Sequence, residues 1–244
     1  MGEYLSKVKH YVRFSQREMN DIFLSLLVIT FVFAFDDGRE TLNISFWGLN
    51  FLGILILVAI SFLTHQLVQK LVSVFAGYRS EYKVWGWGVI IALLFSFVMK
   101  GAWFVIPVGG VFVYHLAIHR IGQFRYGLSG YYSMLIAVSG PLANIVLALI
   151  FKLLFLLTDA TFLLTAMKIN LWMAFWFILP VPPLNGGTAF FGGRSTYTFF
   201  FGFIIAAIIM ISLLQNIFLI VLGTLVISLL FWLVYYLIIE RFVM

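Results

Sequence analysis

The protein has 244 residues, of which 64% are hydrophobic and only 10% are charged. Soluble domains usually contain about 45–50% apolar and 25% charged residues, so this composition excludes a water-soluble globule. The net charge of +6 is better explained by Lys and Arg in the cytoplasmic loops of a membrane protein than by nucleic-acid binding. The chain has no cysteine, which excludes disulfides, thiolate zinc sites and cysteine catalysis. We therefore expect an all-α polytopic integral membrane protein whose partners include membrane lipids and no nucleic acid.

The charged residues predict how the chain passes through the membrane. Residues 1–21 carry four Lys and Arg residues ahead of the first apolar run, so we expect them to form a cytoplasmic segment before a single membrane domain, residues 22–244. Basic loops alternate with acidic loops at Asp36 and Asp159, which predicts about six transmembrane helices in the cell membrane with both termini cytoplasmic. The predicted spans are Ile22–Phe35, Phe51–Phe75, Ser133–Leu157, Phe162–Leu179, Tyr197–Leu214 and Ile217–Ile239.

The stretch Trp85–His119 begins and ends beside basic residues, so we expect it to enter and leave the membrane on the cytoplasmic side. Such a re-entrant segment must be buried in protein or line a wet cavity. Its parts Trp103–Ile106 and Val111–Tyr114 are rich in β-branched and aromatic residues on either side of the turn signal Pro107–Gly110. The pattern predicts a re-entrant β-hairpin.

Polar residues interrupt the apolar segments at three places. His65, Gln66 and Gln69 lie within the second span, and His65 and Gln69 share one helix face because they are four residues apart. Ser139–Asn144 interrupts the third span, and the proline-rich Pro180–Gly187 follows the fourth. Polar groups at membrane depth are usually functional, although side chains that only join helices through hydrogen bonds give the same pattern.

These segments, in this order, resemble the site-2 proteases, a family of intramembrane zinc metalloproteases of peptidase M50 type, and in particular its archaeal homologues. The family carries an HExxH helix, a Pro-x-Gly-Gly hairpin, a Gly-Pro-Leu-x-Asn helix and a distal Pro-x-Pro-Pro-Leu-Asp-Gly motif. The corresponding segments here are His65–Gln69, Pro107–Gly110, Gly140–Asn144 and Pro180–Gly187. The resemblance covers most of the chain and implies a site-2 protease-like core.

The resemblance also implies roles for individual residues. The zinc-ligand positions of the family fall on His65, Gln69 and Asn185, and the position of the catalytic general base falls on Gln66. The hairpin of the family is expected to hold an unwound substrate segment beside the metal. The positions expected to contact a substrate or partner are Pro107, Gly109, Gly110, Val111, Asn144 and Pro182.

The sequence departs from the family pattern at the residues that carry the chemistry. Gln66 replaces a glutamate, Gln69 a histidine and Asn185 an aspartate, while Phe177 stands where the family usually has asparagine. Catalytic zinc is normally held by His and carboxylate ligands, and an amide cannot take a proton from a bound water at neutral pH. We therefore predict that no zinc cofactor is bound. The protein is then a catalytically inactive pseudoprotease that binds a membrane-protein partner or a transmembrane segment.

Two other functions stay open. A divergent intramembrane zinc metalloprotease would hold the metal through His65, Gln69 and Asn185 and would activate water with another group. A transporter or channel would use the polar residues as a pathway, but it should carry further ionisable residues in its spans. The spans offer little beyond Lys152 and Lys168.

Overall fold

The computed structural model describes residues 12–36, 38–39, 43–115 and 127–240. In this part of the chain, five helices are long and apolar enough to cross a membrane, which confirms an all-α polytopic membrane protein. The elements, in chain order, are α1 (Gln16–Ala34), α2 (Ile44–Phe75), β1 (Tyr78–Val84), α3 (Gly86–Val98), β2 (Gly109–His115), α4 (Gly130–Thr158), α5 (Thr161–Ile178), α6 (Asn185–Gly192), α7 (Arg194–Leu213) and α8 (Ile217–Tyr235), which continues as a π-helical turn to Glu240. The five apolar helices are α2, α4, α5, α7 and α8 with its continuation.

The first of the six predicted spans differs from the other five. Helix α1 begins at Gln16, where the Ser15 side chain caps it by accepting the Glu18 N–H, so the predicted boundary at residue 21 falls inside a helix. Because Arg17, Glu18 and Asp21 occupy its first turns, the apolar part of α1 is too short for it to count among the five.

The small sheet corrects the predicted β-hairpin. Strand β2 pairs with β1, which lies earlier in the chain, in an antiparallel register that places Tyr82 opposite Val111, and the expected first strand, 103–106, has no strand structure. The reason lies in the two glycines, which form no turn. Gly109 and Gly110 are inside β2, and a β-carbon on Gly109 would overlap the Lys83 carbonyl of β1.

The segment between the two strands returns to its starting point. Helix α3 has 13 residues, fewer than the roughly 20 that cross a bilayer. The Trp85 N–H donates to the Val108 carbonyl at 2.7 Å, and the Pro107 carbonyl lies against Gly88, where a β-carbon would not fit. This geometry is the one required of a re-entrant segment. The membrane face on which it opens stays a prediction, and its predicted end at His119 lies outside the described residues.

Carboxylates of α1 occupy the outer edge of β1. Glu18 Oε1 accepts the Tyr82 N–H at 3.0 Å, and Asp21 Oδ2 accepts the Val84 N–H at 3.2 Å. The other oxygen of Glu18 lies 2.8 Å from Lys70 Nζ of α2 in an ion pair that is almost completely buried. These contacts fix α1, β1 and α2 to one another at the polar end of the membrane domain.

The Tyr82 side chain points into the protein, where its hydroxyl lies 2.8 Å from Ser25 Oγ of α1. Burial raises the pKa of this hydroxyl, so it stays protonated at physiological pH.

Two apolar clusters meet at the candidate site. One joins α1, α2, α3 and one face of α5 and includes Phe62 and Phe177, while the other joins α4, the other face of α5 and α7 and includes Ala137. The imidazole of His65 lies against the two phenylalanines, and the Gln69 side chain donates to the Ala137 carbonyl. The polar residues of α2 therefore lie at the junction of the two clusters.

We predict that Lys70→Met destabilises the protein by about 3–5 kcal/mol, because it leaves the Glu18 carboxylate buried without its cation. Thermal unfolding in detergent, followed by circular dichroism, measures the loss. The exposed pair Arg79–Glu81 is the matched control, and Arg79→Gln should cost less than about 1 kcal/mol. The double variant Glu18→Gln/Lys70→Met should recover part of the loss, since it buries no charge. Equal effects of Lys70→Met and Arg79→Gln would contradict the prediction.

Candidate functional site

A hydrogen bond joins the two ends of the predicted site. Asn185, the first residue of α6, places its amide Nδ2 at 2.9 Å from His65 Nε2 in the middle of α2. Its Oδ1 accepts the Val111 N–H of β2 at 2.8 Å. An N–H only donates, so the oxygen must face Val111 and the NH₂ must face the imidazole. His65 Nε2 is therefore an acceptor, and the ring is neutral with its proton on Nδ1.

Apolar groups surround the imidazole. The Phe177 ring centroid lies 4.6 Å from that of His65, and Phe62 lies one turn away on the same helix at 6.4 Å. On another side Gly140 of α4 contacts the ring so closely that a β-carbon would overlap Nε2. Phe177, at the position where the resemblance predicts asparagine, thus covers the histidine.

The neighbouring polar side chains keep unused hydrogen-bonding capacity. Gln69 Nε2 donates to the Ala137 carbonyl at 3.2 Å, but its Oε1 accepts nothing. Asn144 is fully buried beside the imidazole, yet neither atom of its amide has hydrogen-bond geometry to a described residue. His65 Nδ1 and Gln66 Nε2 are also buried without partners in the described part of the chain. Five polar atoms are left over in this region, and such a concentration is unusual because buried polar groups are normally paired.

The predicted contact positions lie close to this centre but are mostly enclosed. Pro107, Gly109, Gly110 and Val111 are buried, and Gly110 packs directly against the Pro183 carbonyl. Pro182, on the same loop, is exposed. Asn185 therefore links Val111 to His65, Asn144 lies beside the imidazole, and the loop before α6 covers the beginning of β2, whereas Pro107 packs against Gly88 of α3.

These residues do not fit a zinc ion. Among the described residues, no three His, Asp or Glu side chains come together. The Nε2 lone pair of His65 is used by Asn185, and the remaining oxygens, those of Gln69 and Asn144, belong to neutral amides. Zinc sites in proteins use thiolate, imidazole or carboxylate ligands, which this cluster does not supply beyond one ring.

A second polar link beside the site was not predicted from the sequence. Asn170 of α5 is fully buried and donates to Ser61 Oγ at 2.8 Å and to the Ala166 carbonyl at 2.8 Å. Ser61 lies one turn before His65, so this bond fixes α5 to the helix that carries the histidine. A single asparagine inside an apolar span was the available signal.

We predict that Asn185→Asp changes the protonation of His65. A carboxylate at this position has no N–H to donate, so its oxygen lone pair would repel the Nε2 lone pair of His65. The imidazole must therefore carry a proton on Nε2, which the carboxylate then accepts. Nitrogen-15 NMR should show Nε2 change from a pyridine-type to a protonated nitrogen, with the signal assigned by its loss in His65→Gln. An unchanged Nε2 resonance, or a native protein in which Nε2 is already protonated, would contradict the deduced hydrogen-bond direction.

One known protein is similar to this chain over most of its length. A protein of Methanocaldococcus jannaschii, named a "putative zinc metalloprotease", is 33% identical over 181 residues, which cover 71% of this chain and 83% of that protein. No protein-family model matches the chain. No solved structure matches it either. At this identity and coverage, the chain belongs to the same metalloprotease-like family as the Methanocaldococcus protein.

Proposed function

We propose that this protein is a site-2 protease-type pseudoprotease, which binds a transmembrane segment of a membrane-protein partner without cleaving it. The observation that supports this best is the hydrogen bond between His65 Nε2 and Asn185 Nδ2. It directly joins two of the three positions that the resemblance assigns to zinc ligands. A metal ion cannot use the Nε2 lone pair while the amide donates to it.

The residue types support the same proposal. Removing groups that only orient metal ligands lowers affinity or activity by about 10–100-fold, so replacing ligands themselves should cost more. A positioned acid or base contributes about 10²–10⁴ in rate, and the amide of Gln66 cannot take that role. The change at Gln66 thus adds to the changes at Gln69 and Asn185, and binding is the function that survives all three.

Strand β2 is the proposed contact for the partner. Because the Val111 N–H points away from β1, the backbone groups of Val113, two residues later, point the same way. Asn185 and the loop before it occupy the edge at Gly110 and Val111. Within the described residues, no other backbone group is bonded to the outward groups of Val113. An extended segment can pair with them by β-augmentation.

The unused polar atoms beside His65 support a polar occupant of the same region. The cluster contains both donors and acceptors, including Gln66 Nε2 and Gln69 Oε1. A peptide group carries one donor and one acceptor, so the backbone of an unwound segment matches such a set. A helix that unwinds within the membrane needs these partners because no water replaces its lost bonds.

A divergent zinc metalloprotease is the second candidate, and the name of the Methanocaldococcus relative favours it. This candidate requires Asn185 to swing away from His65 and another group to activate water. We also propose, from the basic loops, that both termini lie in the cytoplasm.

We predict that the purified protein contains less than stoichiometric zinc and does not cleave transmembrane segments. The triple variant Gln66→Glu/Gln69→His/Asn185→Asp should bind zinc stoichiometrically, because it restores the missing ligands and base around His65. Elemental analysis after removal of loosely bound metal measures both proteins.

The matched control is the same triple variant with His65→Ala, which should lose the zinc again. Stoichiometric zinc in the native protein would overturn the pseudoprotease and favour the enzyme. A folded triple variant without zinc would contradict the inferred descent from a metal site.

We predict that a leucine-sized diazirine amino acid at position 112, where the native side chain is 38% exposed, crosslinks a discrete membrane-protein partner in native membranes. The same probe at position 111 is the control, since this position is buried and is covered by Asn185 and the Pro183 loop. It should yield only intramolecular products. If position 112 also yields only intramolecular products, or if both positions give the same partner bands, β2 is not the contact.

A further inference from the structure

An apolar groove lies between α5, the end of α7 and the segment 103–105 that follows α3. Its volume is about 660 Å³, within the range of about 300–1,000 Å³ that is usual for ligand sites. Three tryptophans, Trp103, Trp172 and Trp176, contribute to its walls. Trp103 is 61% exposed, so the groove opens toward the surroundings of the helix bundle. It is separate from the His65 site and independent of the proposed function.

One cation lines this groove. Lys168 of α5 is exposed in it, although α5 is one of the membrane-spanning helices. In the described part of the chain, no acidic side chain pairs with Lys168 and no hydrogen bond engages it. Cations inside membranes normally pair or reach a polar surface. Lys168 is seven residues, or about 10 Å, from the start of α5, which puts its long side chain near the headgroup region.

The other polar groups of the groove are mainly donors. Trp172 lies one turn after Lys168, and Trp103 packs against it with ring centroids 6.5 Å apart. Neither indole N–H has a hydrogen-bond partner among the residues that the structure describes. The Trp176 N–H is different, since it donates to the Phe104 carbonyl at 2.6 Å and holds the segment 103–105 in place. The groove therefore presents one positive charge and free N–H donors above an apolar floor.

Lys152 shows that this arrangement is specific to the groove. It is another lysine of the spans, but it is buried, and its Nζ donates to the Ile211 carbonyl near the end of α7. A carbonyl at a helix C-terminus is a favourable partner for a cation. Lys152 therefore needs no ligand, whereas Lys168 has none within the described chain.

We propose that the groove binds one anionic phospholipid, with its phosphate on Lys168 and an acyl chain along the tryptophans. The phosphate is an acceptor-only anion, which complements the ammonium and the indole donors. Tryptophan prefers the membrane interface, and basic pockets between membrane helices bind lipid headgroups. A peptide would need an acidic residue at membrane depth, which is rare, so a lipid is the occupant that the groove fits.

Native mass spectrometry of the purified protein, titrated with dioleoyl phosphatidylglycerol, tests this site. We expect one phosphatidylglycerol retained more strongly than phosphatidylcholine, and Lys168→Gln should weaken that binding about tenfold, equivalent to one ion pair of about 1.4 kcal/mol. Lys168→Arg should keep it. Lys100, exposed near the end of α3 and outside the groove, provides the control, and Lys100→Gln should bind as the native protein does.

A second measurement follows the tryptophans directly. Phosphatidylglycerol brominated on its acyl chains should quench the fluorescence of the native protein more than that of Lys168→Gln, at equal helix content by circular dichroism. Inorganic phosphate should not compete at the lipid concentration used. Equal retention by the native protein and Lys168→Gln, an equal loss in Lys100→Gln, or displacement by free phosphate would each overturn the proposal. So would tighter binding of an acidic transmembrane peptide than of the lipid.

Discussion

The amide of Asn185 is the interaction on which the centre of the protein depends. It joins residues from three distant parts of the sequence, since it accepts from Val111 in β2 and donates to His65 in α2. An amide side chain carries an acceptor and a donor on one planar group, so Asn185 makes both bonds at once without a change in protonation. The re-entrant segment, the long helix α2 and the loop before α6 are held in register by this one group.

The same apolar surroundings explain why each buried charged side chain has a partner. Three charged side chains are buried in the described part of the chain, and each has a specific partner: Glu18 and Lys70 neutralise one another, while Lys152 donates to a carbonyl. Removing one partner of such a pair costs more than removing both, because an isolated charge is then left in a medium of low polarity. Lys168 is the exception in the spans, and its exposure in a groove rich in aromatic side chains is what makes an external anion the simplest partner.

Much of this architecture follows from the sequence. The predictions that failed mainly concern the small sheet, whose pairing depends on tertiary packing rather than on local sequence. Hydropathy placed four of the six predicted spans close to their observed ends and predicted the end of α2 but not its earlier start at Ile44, because a run of apolar residues long enough to cross a bilayer has few alternatives. Two of the predicted site positions, His65 and Asn185, also meet in space. Strand β1 was not predicted, although the buried Ser80 and Tyr82 alternate with the charged Glu81 and Lys83. Charged residues in a basic loop are equally typical of a solvent-exposed turn, so the alternation alone did not indicate a strand.

The strand that pairs with β2 was also predicted wrongly, for a related reason. Local sequence favours pairing across Pro107–Gly110, whereas the observed partner begins about 30 residues earlier and is selected by tertiary packing. The role of the two glycines is visible only in three dimensions, where Gly109 allows the approach of β1 and Gly110 that of the Pro183 carbonyl. The hydrogen bond between His65 and Asn185 likewise could not be predicted from the sequence motifs, which do not specify distances between side chains.

On the proposed descent from a metal site, the three amide replacements form a physically connected set. Without its zinc ion, an aspartate at position 185 would place an unpaired negative charge beside a neutral ring enclosed by Phe62 and Phe177, which is costly in a low-polarity interior. Asparagine removes the charge and supplies the hydrogen that the Nε2 lone pair needs, so the bond made at 2.9 Å takes over the structural role of the metal. Glutamine at position 66 removes a second charge, and glutamine at position 69 keeps a side chain that bonds the neighbouring helix at Ala137. On this proposal, the neutral centre keeps its helices together without the carboxylates that zinc-dependent hydrolysis uses.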